Sequence, residues 1–295
     1  MWILLTLGAV TFQVIRNGLQ KTLKKQLSDT TITWTRFLFS LPIILSLLTY
    51  ICFTQLASIT SLPKSFFIYC ALAGLFQILG NISLVNLFGK RNFTVGITYM
   101  KTETVQTAII ATILLGEFLD FKAINAVILA TLGVILLSPL AQQGKKFFSK
   151  LFDKTALIGI ACGFFFTITA IFIKKAILIT EYSGFYAALL TLLFMNLAQN
   201  ILLLFYTAKI SDLKTECHKL ANNLKPAAAI GVLSFFGSIC WFYAFALADL
   251  TLVKLVGQTE VIFSFFISHR LFKEEISRLE IAGIILIMLS IILII

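Results

Sequence analysis

Residues 99–117 read YMKTETVQTAIIATILLGE, and residues 256–274 read VGQTEVIFSFFISHRLFKE. Laid over each other at a shift of 157, the two stretches bring Thr102 onto Thr259, Glu103 onto Glu260 and Glu117 onto Glu274. The same shift works outward, superposing Gly74 on Gly231, Gly80 on Gly237 and Thr94 on Thr251. Apolar coincidences carry little weight in so apolar a chain. Asp and Glu together number only 13 in 295 residues, however, so glutamates matched at a constant spacing mark an internal repeat.

The chain is 59% hydrophobic and 13% charged, where a soluble domain carries about a quarter charged residues. Ten apolar runs approach the roughly 20 residues needed to cross a bilayer core: residues 2–20, 32–53, 66–88, 93–115, 123–140, 156–178, 182–207, 226–247, 251–272 and 276–295. They are continuous, unlike the short alternating strands of a membrane barrel, and so predict helices. Five spans precede the polar interruption at 141–155 and five follow it. An odd number per half makes the halves cross the membrane in opposite directions. The expected fold is therefore an all-α integral membrane protein, ten transmembrane helices forming two inverted five-helix repeats. The repeats occupy residues 1–140 and 155–295, with a basic linker at 141–154. Ten helices suffice for a pathway within one chain, so an oligomer is not required.

A net charge of +11 would suggest nucleic acid for a soluble protein, but here the basic residues fall in short loops. The odd-numbered loops hold 16 of the 24 Lys and Arg residues. Cytoplasmic loops carry such an excess, so the count places those loops in the cytoplasm and both termini outside. The implied partners are the lipid bilayer and a small-molecule substrate, not nucleic acid. The first span begins at Trp2 with no basic stretch before it and no small-residue cleavage site, and reads as a retained helix. Cys52, Cys70, Cys162, Cys217 and Cys240 show no paired spacing, and His218 and His269 form no metal motif. No metal or other cofactor is expected.

The run from Tyr99-Met100-Lys101-Thr102-Glu103 through Leu114-Leu115-Gly116-Glu117 to Gly133–Leu137, with its partner from Gln258-Thr259-Glu260 through Lys273-Glu274 to Leu289, resembles the end of each repeat in the EamA-like branch of the drug/metabolite transporter superfamily. That resemblance covers nearly the whole chain. It implies a transporter of ten helices in two inverted five-helix repeats and names no substrate. It also implies cytoplasmic termini, the opposite of what the charge count favours. Short loops and the lack of an appended domain suit a bacterial inner membrane.

An ionisable group at mid-membrane costs about 2.5–3.5 kcal/mol on insertion scales and usually faces a cavity or a partner. Four candidates lie within spans: Lys101, Glu103, Lys254 and Glu260. Glu103 and Glu260 occupy one position in both repeats. They read equally as proton-coupling or ammonium-binding carboxylates and as ion-paired locks between helices. Lys101 matches Gln258, an asymmetry that favours substrate contact. Lys254 and Gln258, four apart, would share a helical face able to hold a carboxylate or phosphate, unless Lys254 snorkels to the interface. Gln77 and Asn81 match Ser234 and Ser238 across the repeats and suggest a common polar lining. Tyr99, Trp241 and Tyr243 would add aromatic walls with polar tips, suited to an amino acid or similar amphipathic solute. Arg16 is expected to snorkel to a loop and Arg36 to lie at the interface. Gly159 and Gly163 permit close helix contact. Glu117 and Glu274 read as turn or capping groups.

The leading function is a secondary transporter working by alternating access, possessing no Gly-rich phosphate loop for ATP hydrolysis. A flippase for a lipid-linked substrate is the alternative. An intramembrane enzyme is disfavoured because no Asp lies deep in a span and the histidines stand apart.

Overall fold

A computed structural model describes residues 1–55, 62–90, 100–137, 154–182, 184–210, 213–263 and 278–294. Tyr99, Thr94, His269, Glu274 and nearly all of the basic linker lie outside the described residues. Among those described, every regular element is a helix. In chain order they are α1 (Trp2–Leu23), α2 (Asp29–Leu38), α3 (Leu41–Gln55), α4 (Lys64–Lys90), α5 (Glu103–Leu115), α6 (Phe121–Leu137), α7 (Lys154–Leu178), α8 (Gly184–Ile210), α9 (Leu213–Asn222), α10 (Leu224–Leu247), α11 (Leu250–Val256) and α12 (Arg278–Ile292). Six stretches are long and apolar enough to cross a membrane, with shorter apolar helices at α5, α6 and within α12. Phe53, Phe118, Phe121 and Ile113 stand largely exposed on the outside of the bundle, an apolar surface that suits lipid contact and would be a liability in water.

Local chemistry sets the boundaries. Ser28 caps α2, its hydroxyl accepting the Thr31 amide at 3.2 Å, and Asp120 caps α6 by accepting the Ala123 amide at 2.7 Å. α5 ends at Gly116, whose φ of 71° is the left-handed conformation that glycine adopts without a Cβ penalty. The span expected over 32–53 is interrupted at Phe39–Ser40, which divides it into α2 and α3. Pro42 explains the interruption, since it has no amide to return to the carbonyl of Leu38. The polar interruption after Thr207 contains the short α9, whose Glu216 accepts hydrogen bonds from Ser28 and Thr31 and thereby ties it to the start of α2.

Helix association in lipid relies on close packing and interhelical hydrogen bonds, because the tails are as apolar as the side chains. α1 runs along α10, α4 along α7 and α6 along α12. Glycines allow the close approaches. A Cβ on Gly133 would stand 2.7 Å from the Gly283 carbonyl of α12, and one on Gly163 would stand 3.0 Å from the Met100 carbonyl. Gly163 thus provides the close helix contact expected of it.

Two further breaks position the site. Met100 is helical, Lys101 and Thr102 form a turn, and α5 begins at Glu103. In the other half, α11 ends at Val256, Gly257 and Gln258 form a turn, and helix resumes over 259–263. α5 and α11 pack against each other, which brings the interruptions together in the middle of the bundle.

Candidate functional site

Where a helix is interrupted, backbone groups lose their intrahelical partners and need others. Here side chains from the opposite break supply them. The Lys101 ammonium donates to the Gly257 carbonyl at 3.3 Å, and the Gln258 amide donates to the Lys101 carbonyl at 3.3 Å and to the Thr104 hydroxyl. Lys101 Nζ also lies 2.6 Å from Glu260 Oε2 and 3.8 Å from Glu103 Oε1. Glu103 Oε2 in turn faces Lys254 Nζ at 3.4 Å. Two lysines and two glutamates therefore alternate across the breaks, and each half contributes one of each. All four are buried, Glu260 completely. Burial of charge is tolerated when partners and hydrogen bonds surround it, and Glu260 has both: Gln13 donates to it at 2.7 Å and Asn17 at 3.1 Å.

This geometry bears on two expectations. Lys101, expected to contact substrate, is held by Glu260, Glu103 and a backbone carbonyl. Lys254 does not snorkel, because its ammonium lies over the Trp241 and Phe245 rings at 5.2 and 5.6 Å and pairs with Glu103. The face it was expected to share with Gln258 is lost, since the helix breaks at Gly257 between them.

Beside the ion pairs lies a cavity with about 60 Å³ of room for water-sized occupants. Of the expected site residues, Glu103, Lys254, Gln77, Ser238 and Trp241 line it. The lining does not include Lys101, Glu260, Gln258, Asn81 or Tyr243. Asn81 instead turns its amide onto the Gln77 carbonyl at 2.7 Å. Tyr243 stacks edge-on against Phe185 with ring centroids 5.7 Å apart; two positions beyond Trp241, it points to the other side of α10.

Arg16 and Arg36 are the largest departure. Neither reaches an interface: each is 3% exposed, and both line the cavity. Gln13 lines it too, accepting from the Trp241 indole at 3.1 Å while donating to Glu260. The sequence carried a signal for this face. Gln13, Arg16, Asn17 and Gln20 fall at i, i+3, i+4 and i+7 along α1, a polar stripe inside an apolar span. All but Gln13 are fully buried.

A third buried pair stands apart from the cavity. Glu117 lies 3.0 Å from Lys174 and accepts the Leu250 amide at 2.8 Å, so it caps the start of α11, in keeping with the capping role read for it.

A solved crystal structure is similar in fold, with a TM-score of 0.70 over 99% of this chain and 96% of that one at 11% sequence identity. Among curated proteins none matches in sequence. The family model for the EamA-like transporter family matches residues 1–138 and 153–295, nearly the whole chain in two blocks. A multi-pass helical protein is in keeping with that match, and the chain belongs to the EamA-like transporter family, within the drug/metabolite transporter superfamily.

Proposed function

We propose that the protein is a secondary transporter of a small amphipathic metabolite, in which two inverted five-helix repeats, residues 1–140 and 155–295, rock about the central cavity. The observation that carries the reading is the crossed pairing at the helix breaks: Lys101 of the first half with Glu260 of the second, and Lys254 of the second with Glu103 of the first. Substrate and coupling-ion sites in such proteins typically lie at discontinuous helices near the repeat interface.

The packing supports the repeat. Under the 157-residue shift, α1 against α10 becomes α7 against α4, and both contacts exist. Gly80 faces Phe166 of α7 while its match Gly237 faces Ala9 of α1, which the shift carries onto Phe166; Gly74 faces Met195 of α8 while its match Gly231 faces Phe39, which the shift carries to the residue next to Met195. Matched glycines thus meet neighbours at the same or adjacent positions, as expected of an axis exchanging the halves. The family match in two blocks points the same way.

A cavity of about 60 Å³ is well below the roughly 300–1,000 Å³ of small-molecule sites. Substrate entry therefore demands separation of the walls, and the crossed ion pairs are what must loosen. Glu103 is the coupling carboxylate in this reading, since it lines the cavity and has lysines at 3.4 and 3.8 Å rather than the closer partners of Glu260. The setting is a bacterial inner membrane, and no step of the cycle is a covalent reaction. The test is uptake into proteoliposomes under an imposed pH gradient, with amino acids, organic anions and organic cations as solutes. Saturable, solute-specific uptake supports the proposal. Absence of flux for every solute, with a control carrier active in the same vesicles, refutes it.

A further inference from the structure

We propose that Arg16 and Arg36 form an anion-binding subsite in the central cavity, so that the transported solute carries a carboxylate or phosphate group; this deepens the transporter reading and rests on it.

Arg16 comes from α1 and Arg36 from α2, and both guanidinium groups are buried against the same cavity. They are close enough to repel each other. Arg16 donates to the Asn17 side-chain oxygen at 3.0 Å, and Asn17 donates onward to Glu260. The arginine thus reaches that carboxylate through an amide, and Glu260 spends its own oxygens on Lys101, Gln13 and Asn17. Arg36 lies over the ring of its neighbour Phe37 at 5.4 Å. Nε of Arg16, and Nε and NH1 of Arg36, are buried with no hydrogen-bond partner among the described residues. The glutamines around them are committed elsewhere: Gln77 accepts from Gln199 at 2.8 Å, and Gln13 is held between Trp241 and Glu260.

Charge counting leads to the same place. Among the described residues, Lys101 and Lys254 balance Glu103 and Glu260, and the other buried acids, Glu117 and Glu216, are matched by Lys174 and Lys219. Among the described buried residues Arg16 and Arg36 are left over, an excess of two positive charges at the cavity. A buried charge without an anion is unfavourable, and a guanidinium offers its N–H groups in a planar fork that fits carboxylate or phosphate oxygens. Two forks converging on one cavity form a receptor for such a group. Trp241 and Phe245, which also line the cavity, would take the apolar body of the solute.

The experiment measures thermal unfolding of the purified full-length protein in detergent at constant ionic strength in chloride. The probes are inorganic phosphate, glycerol 3-phosphate, succinate, alanine and choline. Saturable stabilisation by phosphate and its ester, or by the carboxylate, tells which oxyanion is taken. The expected result is stabilisation by one of these with none from choline. Arg36→Gln is expected to weaken the apparent affinity at least tenfold, and Arg36→Lys to recover part of it. Without ligand, Arg36→Gln is expected to unfold at the same or a higher temperature, because it deletes an unpaired charge. The proposal is overturned if no oxyanion stabilises the wild type or if Arg36→Gln binds oxyanion as tightly. A ligand-free Arg36→Gln that unfolds earlier, with Arg36→Lys restoring it, overturns it too by making the arginine structural. In proteoliposomes, uptake of a cation or uncharged solute unaffected by Arg36→Gln would sink the anion subsite and leave the transporter reading standing. Loss of all flux in the wild type is the separate failure of that reading.

Discussion

Lys101 Nζ sits 2.6 Å from Glu260 Oε2, a cation from one half of the chain against an anion from the other, with neither open to solvent. Removing one partner of a buried pair strands the other charge, at a cost of about 3–5 kcal/mol, whereas removing both is often nearly neutral. Glu260→Gln and Lys101→Met are each expected to lower the unfolding temperature sharply, and the double variant Lys101→Met/Glu260→Gln to regain most of the loss. A thermal-unfolding double-mutant cycle measures this. Additive losses would mean that the pair is not a coupled unit.

Glu103 is held more loosely than Glu260 and faces the cavity. Glu103→Gln is expected to abolish gradient-driven accumulation while sparing substrate exchange across the vesicle membrane. Accumulation at the wild-type level would remove Glu103 from the coupling mechanism.

Cys217 is the exposed cysteine, on α9, whereas Cys70 and Cys162 are buried and Cys52 and Cys240 are half-buried. The Lys and Arg count puts α9 in the cytoplasm. A membrane-impermeant maleimide is therefore expected to label inside-out vesicles and to leave intact cells unlabelled. The reverse pattern would favour the orientation that the family resemblance implies, with cytoplasmic termini.

Burial opposes ionisation of Glu216, but hydrogen bonds from Thr31, Lys219 and Ser28 and the charge of Lys219 outweigh it, holding the carboxyl below the usual carboxylate range. A group whose folded value is lowered adds stability above its unfolded value, about 4.3 for a glutamate, and loses it as pH falls through the folded value. Unfolding temperatures are thus expected to fall on acidification below about pH 4.3, and less steeply in Glu216→Gln. Parallel curves for the two proteins would assign the acid sensitivity elsewhere.

How much could be read beforehand depended on what each signal measures. The recurrence of Glu103 at Glu260 was visible because acids are scarce, and it led to the centre of the molecule. The partners were not visible, because the 157-residue shift relates equivalent positions and says nothing of contacts between non-equivalent ones such as Lys101 and Glu260. Arg16 and Arg36 were misjudged for a geometric reason. Each lies seven residues from its helix end, at Leu23 and at Asp29, about 10 Å of helix at 1.5 Å per residue, too deep to snorkel readily. Tyr243 failed as a wall beside Trp241 because adjacent polar tips on a helix need three- or four-residue spacing. The interruption at Phe39–Ser40 was legible in Pro42, while the breaks at 101–102 and 257–258 carry no proline.

Gly231 touches that interruption directly: a Cβ there would run into the Phe39 Cβ and lie 2.8 Å from its carbonyl carbon. Backbone pressed on backbone has no rotamer to exchange, so in the proposed rocking cycle the junction would serve as a fulcrum for α10. Points far along the lever arm sweep widely, and points close to it hardly travel. Arg36, one turn before Phe39 on α2, lies near that junction, so in the proposed cycle a solute gripped there would pass from one side of the membrane to the other with little displacement of its grip.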